Sequence, residues 1–382
     1  MRAATLLAAI ASGTLLLGSV GPAGAQQPAR QQPAGQAPAR QDLARLEQVA
    51  TFAHQVTGVA VSRDGRIFVN FPRWTEDTAV SVAELKDGKL VPYPDENWNS
   101  WRNAKQDEIS PNDHWVCVQS VVADGRGNLW VLDPAAPAME QIVKGGPKLV
   151  RIDLSTNKVA QVIPFDERVA PMGTYLNDIR FSPDGKWGYL TDSGRGALLI
   201  VDFERGGIRR VLDGVSSTQA EKGVLVHIDG KPLRRPDGKA PSFAADGITL
   251  SPDGETLFWQ SISSHTLYAV PTAALRDESL DTPELEKQVR KAGTTVIADG
   301  LWTSGKGQFF ITSPEDNSVK LREAESRLVT AAQDPKLRWP DSLAEGPDGA
   351  IYVTASHIPD SRMFKVDAPV ATPSALFRFT PR

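Results

Sequence analysis

Six polar residues recur at one position relative to a repeated glycine turn, and all six have side-chain oxygen. They lie eight residues before Gly65, Gly127, Gly185, Gly254, Gly307 and Gly349, and they are Thr57, Gln119, Asn177, Asp246, Asp299 and Asp341. Hydroxyl, amide and carboxylate oxygens are the ligands of hard cations such as Ca²⁺, which takes about six to eight of them. Asp, Asn and Thr also favour strand entries, where they hydrogen-bond the local backbone. The pattern favours one shared site, with a purely local role as the alternative.

The turns that contain these six glycines indicate β-hairpins. Residues 182–185 and 251–254 both read SPDG, in which Pro sets φ and Gly accepts a positive φ, and short apolar or aromatic runs follow. The glycines are 62, 58, 69, 53 and 42 residues apart, which is enough for one four-stranded blade per step. The sequence therefore predicts an all-β fold, a six-bladed β-propeller. The first strand of each blade then lines the central channel, and the six polar residues form a ring at one mouth.

Composition excludes some classes of function. The net charge is −4 with mixed signs and no basic block, which argues against a nucleic-acid partner. Cys117 is the single cysteine, so there is neither a disulfide framework nor a cysteine metal site, and a buried, inert thiol is expected. We expect a monomer that binds a small-molecule ligand or substrate.

The N-terminus predicts export. Residues 1–25 combine Arg2, an apolar stretch and an Ala-Gly-Ala end, the pattern of a signal peptide, which places the mature chain in the periplasm or outside the cell. Residues 26–41 are rich in Gln, Pro and Ala and predict a disordered tether. The propeller is assigned to residues 42–382. No other segment is apolar for long enough to span a bilayer. Residues 46–52 and 375–379 are predicted to pair and close the ring.

Further polar and aromatic residues are predicted near the same mouth of the channel as the ring of polar residues. Asp192, Arg195, His265 and His357 follow second strands of their blades, and Trp74 and Trp302 lie in loop or strand positions beside the channel. Asp341, Asp192, His265 and His357 are the candidate catalytic groups, because a carboxylate or imidazole can act as a general base. Thr57, Gln119, Trp74, Arg195 and Trp302 are the candidate ligand contacts. For each, a structural role is the alternative.

Several segments resemble the yellow and major royal jelly protein family. They are FPRW (71–74), VQSVVADGRGNLWVLD (118–133), YLNDIRFSPDG (175–185), YLTDSGRGALLIVD (189–202), ADGITLSPDG (245–254) and LFWQSISSHTLYAVPTAAL (257–275). The absence of the family's usual cysteines makes this chain similar to a bacterial-type member. The resemblance implies a secreted six-bladed propeller, with chemistry that ranges from dopachrome-converting tautomerases to binders of small amines or sterols.

A more distant similarity is to gluconolactonase and paraoxonase propellers, which hold a catalytic Ca²⁺ on the axis. Asn177, Asp246 and Asp299 look like their metal ligands, whereas Thr57 stands where the lactonases have a glutamate. Three functions therefore stay open. The first is an axial enzyme, either tautomerase-like or a metal-dependent lactonase in which Asp341 activates water. The second is a non-catalytic binder of small amines or aromatic ligands. The third is a protein-interaction propeller.

Overall fold

The computed structural model describes residues 43–323 and 326–382. Within these residues, six antiparallel sheets of four strands follow one another along the chain. Each sheet is one blade, and the innermost strands of neighbouring blades contact one another around a central channel. The six-bladed propeller predicted from the turn spacing is confirmed. The predicted signal peptide (1–25) and tether (26–41) lie outside the described residues.

In blades 1 to 5 the strands run outward from the channel in chain order, and in blade 6 the outermost strand is the first of the chain. The chain starts with β1 (Glu47–Phe52), which belongs to the last blade. Blade 1 contains β2 (Val59–Val61), β3 (Ile67–Asn70), β4 (Val82–Lys86) and β5 (Lys89–Pro92). Blade 2 contains β6 (Ser120–Ala123), β7 (Asn128–Asp133), β8 (Lys148–Asp153) and β9 (Lys158–Pro164). Blade 3 contains β10 (Leu176–Phe181), β11 (Trp187–Asp192), β12 (Ala197–Asp202) and β13 (Ile208–Val211).

The second half of the chain adds a small hairpin and two short helices to the same plan. The hairpin is β14 (His227–Ile228) with β15 (Lys231–Pro232). Blade 4 contains β16 (Ala245–Leu250), β17 (Thr256–Ser261) and β18 (Thr266–Pro271), then α1 (Thr272–Arg276), α2 (Thr282–Gln288) and β19 (Arg290–Thr294). Blade 5 contains β20 (Leu301–Thr303), β21 (Phe309–Ser313), β22 (Ser318–Arg322) and β23 (Leu328–Gln333). Blade 6 contains β24 (Pro340–Glu345), β25 (Ile351–Ala355), β26 (Ser374–Phe379) and finally β1.

The ends of the propeller meet in blade 6. Strand β1 pairs antiparallel with β26, from Glu47 opposite Arg378 to Phe52 opposite Ser374. The predicted pairing of residues 46–52 with 375–379 is therefore confirmed. A ring of blades has no free ends when the first strand completes the last sheet, so the edges that an open array would expose are paired.

Apolar side chains fill the space between blades. Between blades 3 and 4, for example, Tyr189, Ile248 and Trp259 are completely buried. Strand alternation explains this, because one set of side chains on each strand points toward the next blade. None of the helices within residues 43–323 and 326–382 is long and apolar enough to cross a membrane.

The closing strand allows a direct test of what stabilises the ring. Phe52 is buried at the C-terminal end of β1 and meets Phe71 of blade 1 with ring centroids 5.3 Å apart. We expect Phe52→Ala to lower the free energy of unfolding by about 3 kcal/mol, because the variant leaves a cavity where the two ends of the chain join. Urea unfolding followed by tryptophan fluorescence measures this loss.

The exposed Val91, on the outer strand of blade 1, provides the control. We expect Val91→Ala to change the free energy of unfolding by less than about 0.5 kcal/mol. Equal effects of the two substitutions would contradict the role given to the closing strand.

Candidate functional site

Local irregularities in the innermost strands position the ring of polar residues. The pairing of β10 with β11 shifts register between Leu176 and Ile179, and that of β24 with β25 shifts between Pro340 and Leu343. Strand β16 has the same irregularity around Asp246. A β-bulge leaves a residue outside the regular ladder and re-aims its side chain. Asn177, Asp246 and Asp341 lie at these bulges, which explains how residues at strand entries come to face the axis.

Two glycines bring the acidic members of the ring together. A Cβ placed on Gly247 would lie 2.3 Å from the carbonyl oxygen of Asp299, and one on Gly300 would lie 2.1 Å from that of Asp341. Only glycine permits such a close approach of one backbone to another. The Asp-Gly pairs at 246–247 and 299–300 thus let the innermost strands of blades 4, 5 and 6 converge.

The ring surrounds a small cavity on the axis, which we call the axial cavity. Five of the six predicted ring residues line it: Gln119, Asn177, Asp246, Asp299 and Asp341. Aromatic walls come from Trp74, Tyr175, Phe243 and Trp339. Water-sized molecules fit in only about 20 Å³ of it. The free space of the axial cavity is therefore small.

The cover of the axial cavity is an apolar cluster held by ion pairs at its edge. Ile262, Ile358 and Met363 line the cavity beside Phe243 and belong to the same cluster. At the edge, Arg338 contacts both carboxylate oxygens of Asp229 at 2.7 and 2.9 Å. Arg338 also donates to Asp360 at 3.0 Å. These ion pairs join the β14–β15 hairpin to the segment that follows β25.

Two buried carboxyl groups form the centre of the site. Asp246 is hydrogen-bonded to Asp299, and it also accepts a hydrogen bond from the side-chain amide of Asn177 at 2.7 Å. The indole N–H of Trp339 donates to Asp299 Oδ2 at 2.6 Å. Neighbouring carboxylate charges repel one another strongly in a buried site, so ionisation of both groups is unfavourable.

The surroundings shift the pKa values of the acidic groups unequally. Burial, followed by the charges of Asp299 and Asp341, raises the pKa of Asp246 well above its usual value. Burial also raises the pKa of Asp299, but the hydrogen bonds from Trp339 and Asp246 limit the rise to about 6. Burial and the Asp299 charge raise the pKa of Asp341 well above its usual value. Of the three groups, Asp299 therefore has the least raised pKa, and Asp246 and Asp341 keep their protons to higher pH than Asp299 does.

The aromatic side of the cavity is fixed by a chain of hydrogen bonds. The indole N–H of Trp74 donates to the Tyr175 hydroxyl at 2.6 Å, and that hydroxyl donates to Gln119 Oε1 at 2.9 Å. Burial raises the pKa of Tyr175 well above its usual value, so the phenol stays neutral. The free Cys117 packs in the same cluster, and burial raises its pKa to about 12, which leaves the thiol unreactive.

Three of the five predicted ligand contacts, Thr57, Trp302 and Arg195, lie away from the axial cavity. Thr57 is completely buried, and its hydroxyl donates to the backbone of Gln119 at 3.0 Å while accepting from Asn70 at 2.9 Å. It thus connects blades 1 and 2. Trp302 lies three residues beyond Asp299 along the channel, where the Arg180 guanidinium is 5.2 Å from its ring centroid. It lines a different pocket, at the opposite end of the channel.

Asp192 and Arg195, at the end of β11 and in the loop that follows it, have partners outside the axial cavity. The Asp192 carboxylate is completely buried, accepts backbone N–H groups from Tyr175 and Gly194, and pairs with Arg210 at 2.6 Å. Arg195 is exposed and approaches Asp213 at 3.9 Å. Neither side chain lines the axial cavity.

The two predicted catalytic histidines also lie outside the cavity lining. His265 Nδ1 is 3.1 Å from the Thr295 carbonyl oxygen at the edge of blade 4. His357 has a left-handed backbone with φ of 53°, and its Nδ1 lies 3.5 Å from Asp360. Of the four predicted catalytic residues, only Asp341 reaches the axial cavity, and the roles of the other three stay predictions.

Sequence reasoning missed the aromatic residues two positions before the ring. Tyr175 precedes Asn177, and Trp339 precedes Asp341, by two residues each. The same count from the turn glycines, continued by two, would have found both residues.

The donor chemistry of the site suits Ca²⁺, but the arrangement of the donors does not. Asn177 directs an N–H at Asp246, and Trp339 directs an N–H at Asp299, so proton donors occupy the oxygens that a cation would need. In the described part of the chain, no group of three or more His, Cys, Asp or Glu side chains is placed to hold a metal ion. As arranged, these residues do not fit a Ca²⁺ site, and calcium at the axis stays a prediction.

The fold and the site define a six-bladed β-propeller with an acidic cavity on its axis. Solved structures share this fold. A gluconolactonase from Xanthomonas campestris is 13% identical, with a TM-score of 0.53 over 89% of this chain and 90% of that one. Regucalcin, a calcium-binding protein from Agrobacterium tumefaciens, is 13% identical, with a TM-score of 0.52 over 87% of this chain and 94% of that one. At these identities the likeness concerns the fold alone.

The family is shown by sequence. The model of the major royal jelly protein family matches residues 116–359, and the chain belongs to that family, which confirms the predicted resemblance. Major royal jelly protein 1 of Apis mellifera is 25% identical over 258 residues, 60% of this chain and 56% of the relative. Major royal jelly protein 6 of the same species is 24% identical over 188 residues, 47% and 39% respectively. The matches span about half the length of these relatives.

The raised pKa of Asp246 predicts how stability depends on pH. The stabilisation from a carboxyl group whose folded pKa is raised is complete below its unfolded pKa, near 4, and is lost as pH rises through the folded pKa. Asp246→Asn is neutral at every pH and avoids this loss. We expect its melting temperature to exceed that of the wild type by about 2 °C or more at pH 8, and by less at pH 5. Differential scanning calorimetry measures both.

Asp166→Asn is the matched control, because Asp166 is exposed and its pKa is lowered by a hydrogen bond from Arg168. We expect Asp166→Asn not to raise the melting temperature at pH 8. If Asp246→Asn lost stability at pH 8 but not at pH 5, Asp246 would be ionised in the native protein. The raised pKa assigned to Asp246 would then be wrong.

Proposed function

We propose that the protein is an enzyme that moves protons on a small molecule in the axial cavity, an isomerase of the tautomerase type. The observation that supports this most is the hydrogen-bonded pair Asp246 and Asp299, whose pKa values are raised to different extents. Neighbouring carboxyl groups with separated pKa values are how a site holds an acid and a base together at neutral pH.

In the proposed reaction each carboxyl group has one role. The Asp299 carboxylate removes a proton from a carbon next to a carbonyl group. Asp246 or Asp341, whose pKa values are raised further than that of Asp299, delivers a proton at a second position of the same molecule. One proton leaves the substrate and one returns, so the reaction is an isomerisation that needs neither an oxidant nor a second substrate. Trp339 holds the Asp299 carboxylate in place at 2.6 Å.

The shape of the cavity favours a flat, aromatic or quinonoid substrate. Trp74, Tyr175, Phe243 and Trp339 form its walls, and aromatic rings stack on such surfaces. Dopachrome has the required carbonyl groups and acidic C–H bond, and its isomerisation is the reaction that the family resemblance suggests. We therefore take dopachrome as the first substrate to test.

The proposal makes a prediction about pH and about individual carboxyl groups. We expect kcat/KM for dopachrome to rise as pH increases through about 6, because Asp299 must be ionised. It should fall again at alkaline pH, where Asp246 and Asp341 lose their protons. Asp299→Asn should lower kcat/KM by about 10² or more at pH 7, the usual contribution of a general base. Stopped-flow absorbance measures the rates, corrected for spontaneous conversion.

Controls separate this proposal from the alternatives. Asp166→Asn should leave the rate unchanged, as should dialysis against EDTA. A loss of activity on chelation that CaCl₂ restores would instead support Asn177, Asp246 and Asp299 as metal ligands, and the lactonase alternative. Saturable binding of phenylethylamine without conversion of any quinonoid substrate would support a binding protein, because Asp299 and the indole rings would then hold an ammonium.

Export belongs to the same proposal. Residues 1–25 have the pattern of a signal peptide, which supports action in the periplasm or outside the cell. Mass spectrometry of the exported chain checks it, with Gln26 expected as the first residue and an uncleaved chain contradicting it.

A further inference from the structure

The isomerisation at the axial cavity needs a hydrogen-bond donor for the carbonyl oxygen of the substrate. When Asp299 removes a proton from the neighbouring carbon, the electron pair moves to this oxygen and an enolate forms. A negative oxygen inside a protein is costly unless a donor faces it. Enzymes that form such an oxygen stabilise it with N–H groups held in a fixed orientation. The cavity lining is therefore expected to contain an N–H group without a partner of its own.

Nearly all side-chain donors of the lining already donate to groups inside the protein. These donors are the indole N–H groups of Trp74 and Trp339, the Tyr175 hydroxyl, both N–H groups of the Asn177 amide and the Ser193 hydroxyl. Each therefore has a partner before any ligand enters, and none is free to bind a carbonyl oxygen.

Gln119 is the exception among the lining residues. Its Oε1 accepts the hydrogen bond from Tyr175 at 2.9 Å, whereas its Nε2 makes no hydrogen bond to any residue in the ranges 43–323 and 326–382. The side chain is deeply placed, with Gln119 only 6% exposed, yet Nε2 is not one of the atoms that are both inaccessible and without a partner. The amide N–H groups are thus reached from the axial cavity that Gln119 lines.

The position of Gln119 on the ring suits a substrate held by Asp299. Gln119 belongs to blade 2 and Asp299 to blade 5, and the contacts between innermost strands run from each blade to the next around a ring of six. Equivalent positions three blades apart face each other across the axis. A molecule lying between them can present its C–H bond to Asp299 and its carbonyl oxygen to Gln119.

Hydrogen bonds on both sides of the residue hold Gln119 in one orientation. Its backbone N–H donates to the Leu132 carbonyl at 3.0 Å, and its backbone carbonyl accepts from Thr57 and Asn70, each at 3.0 Å. Tyr175 fixes the oxygen end of the amide, so the nitrogen end stays directed away from it. A donor that is oriented in advance needs no rearrangement when charge develops on the substrate.

We propose that Gln119 binds the carbonyl oxygen of the substrate and stabilises the enolate, a role that rests on the function proposed above. The C–H bond breaks, its proton moves to the Asp299 carboxylate, and the electron pair moves to the oxygen that Gln119 faces. A second carboxyl group then returns a proton at another carbon, and the carbonyl or its conjugated equivalent forms again. Met139 and Met363, which are unbranched and partly buried, change rotamer to make room for the substrate.

The kinetic test replaces the amide with an apolar group of similar shape. In Gln119→Met we expect kcat for dopachrome to fall about 10²-fold and KM to change by less than about three-fold, because the donor acts mainly on the enolate. The rise of kcat/KM through about pH 6 should stay in place, since it reports the pKa of Asp299. Gln161→Met, the same change on the exposed outer strand β9 of blade 2, is the control and should alter neither constant.

A binding test does not depend on turnover. The probes are acetophenone and α-methylstyrene, which have nearly the same shape and differ in C=O against C=CH₂. In the full chain labelled with ¹⁵N-tryptophan, the indole signals of Trp74 and Trp339 report occupation of the cavity, and Trp74→Phe and Trp339→Phe identify them. We expect Gln119→Met to weaken acetophenone binding about ten-fold, because the carbonyl loses its donor, and to leave α-methylstyrene unaffected.

The two tests separate this role of Gln119 from the isomerase itself. If the wild type converts dopachrome, kcat decides, and an unchanged kcat in Gln119→Met would overturn the role of Gln119 while the isomerase stands. If the wild type does not convert dopachrome, the isomerase is refuted and the probes decide. Selective loss of acetophenone would then support carbonyl binding by Gln119, whereas equal loss of both probes, or no binding of acetophenone, would overturn it. Gln119→Leu is made in parallel, in case Gln119→Met does not fold.

Discussion

The burial of two hydrogen-bonded carboxyl groups on the propeller axis is the constraint on which the site depends. Asp246 and Asp299 come from different blades, and they meet because Gly247 and Gly300 let neighbouring strands approach at distances that a side chain would forbid. A proton between them removes the repulsion that two buried carboxylates would suffer. Hydrogen bonds from Asn177 to Asp246 and from Trp339 to Asp299 then fix the orientation of the two carboxyl groups. Stability and the proposed chemistry thus share one interaction.

The ring of blades makes this arrangement possible because each blade supplies one channel residue at the same height. The blades are not equivalent, however. Blades 3 to 6 contribute Asn177 and three aspartates, whereas Thr57 in blade 1 connects two strands. Aromatic residues above the ring exclude water, which strengthens the electrostatic effects of the carboxyl groups. The result is one polar centre inside an apolar mouth.

The two ends of the channel influence each other through charge. The Asp178 carboxylate lines the pocket at the opposite end of the channel and pairs with Arg180, yet its charge is among the causes that raise the pKa of Asp246, Asp299 and Asp341. Ser342 lines the same pocket, and its hydroxyl contacts Asp341. Charge and hydrogen bonding therefore connect the two ends of the axis.

The sequence by itself determined the architecture and most of the ring. Turn glycines specify hairpins through local backbone preferences, and their number indicates six blades. The fixed offset from these glycines locates the residues that line the axial cavity, namely Gln119, Asn177, Asp246, Asp299 and Asp341. Local rules also predicted the closing strand. Tertiary structure alone decided which side chains meet, because that depends on bulges, on close strand approach and on competing partners. It turned Asp192 toward Arg210, placed His265 at the edge of blade 4 and His357 beside Asp360, and placed Trp302 at the opposite end of the channel. Burial, which no local pattern measures, raised the pKa values of Asp246 and Asp299.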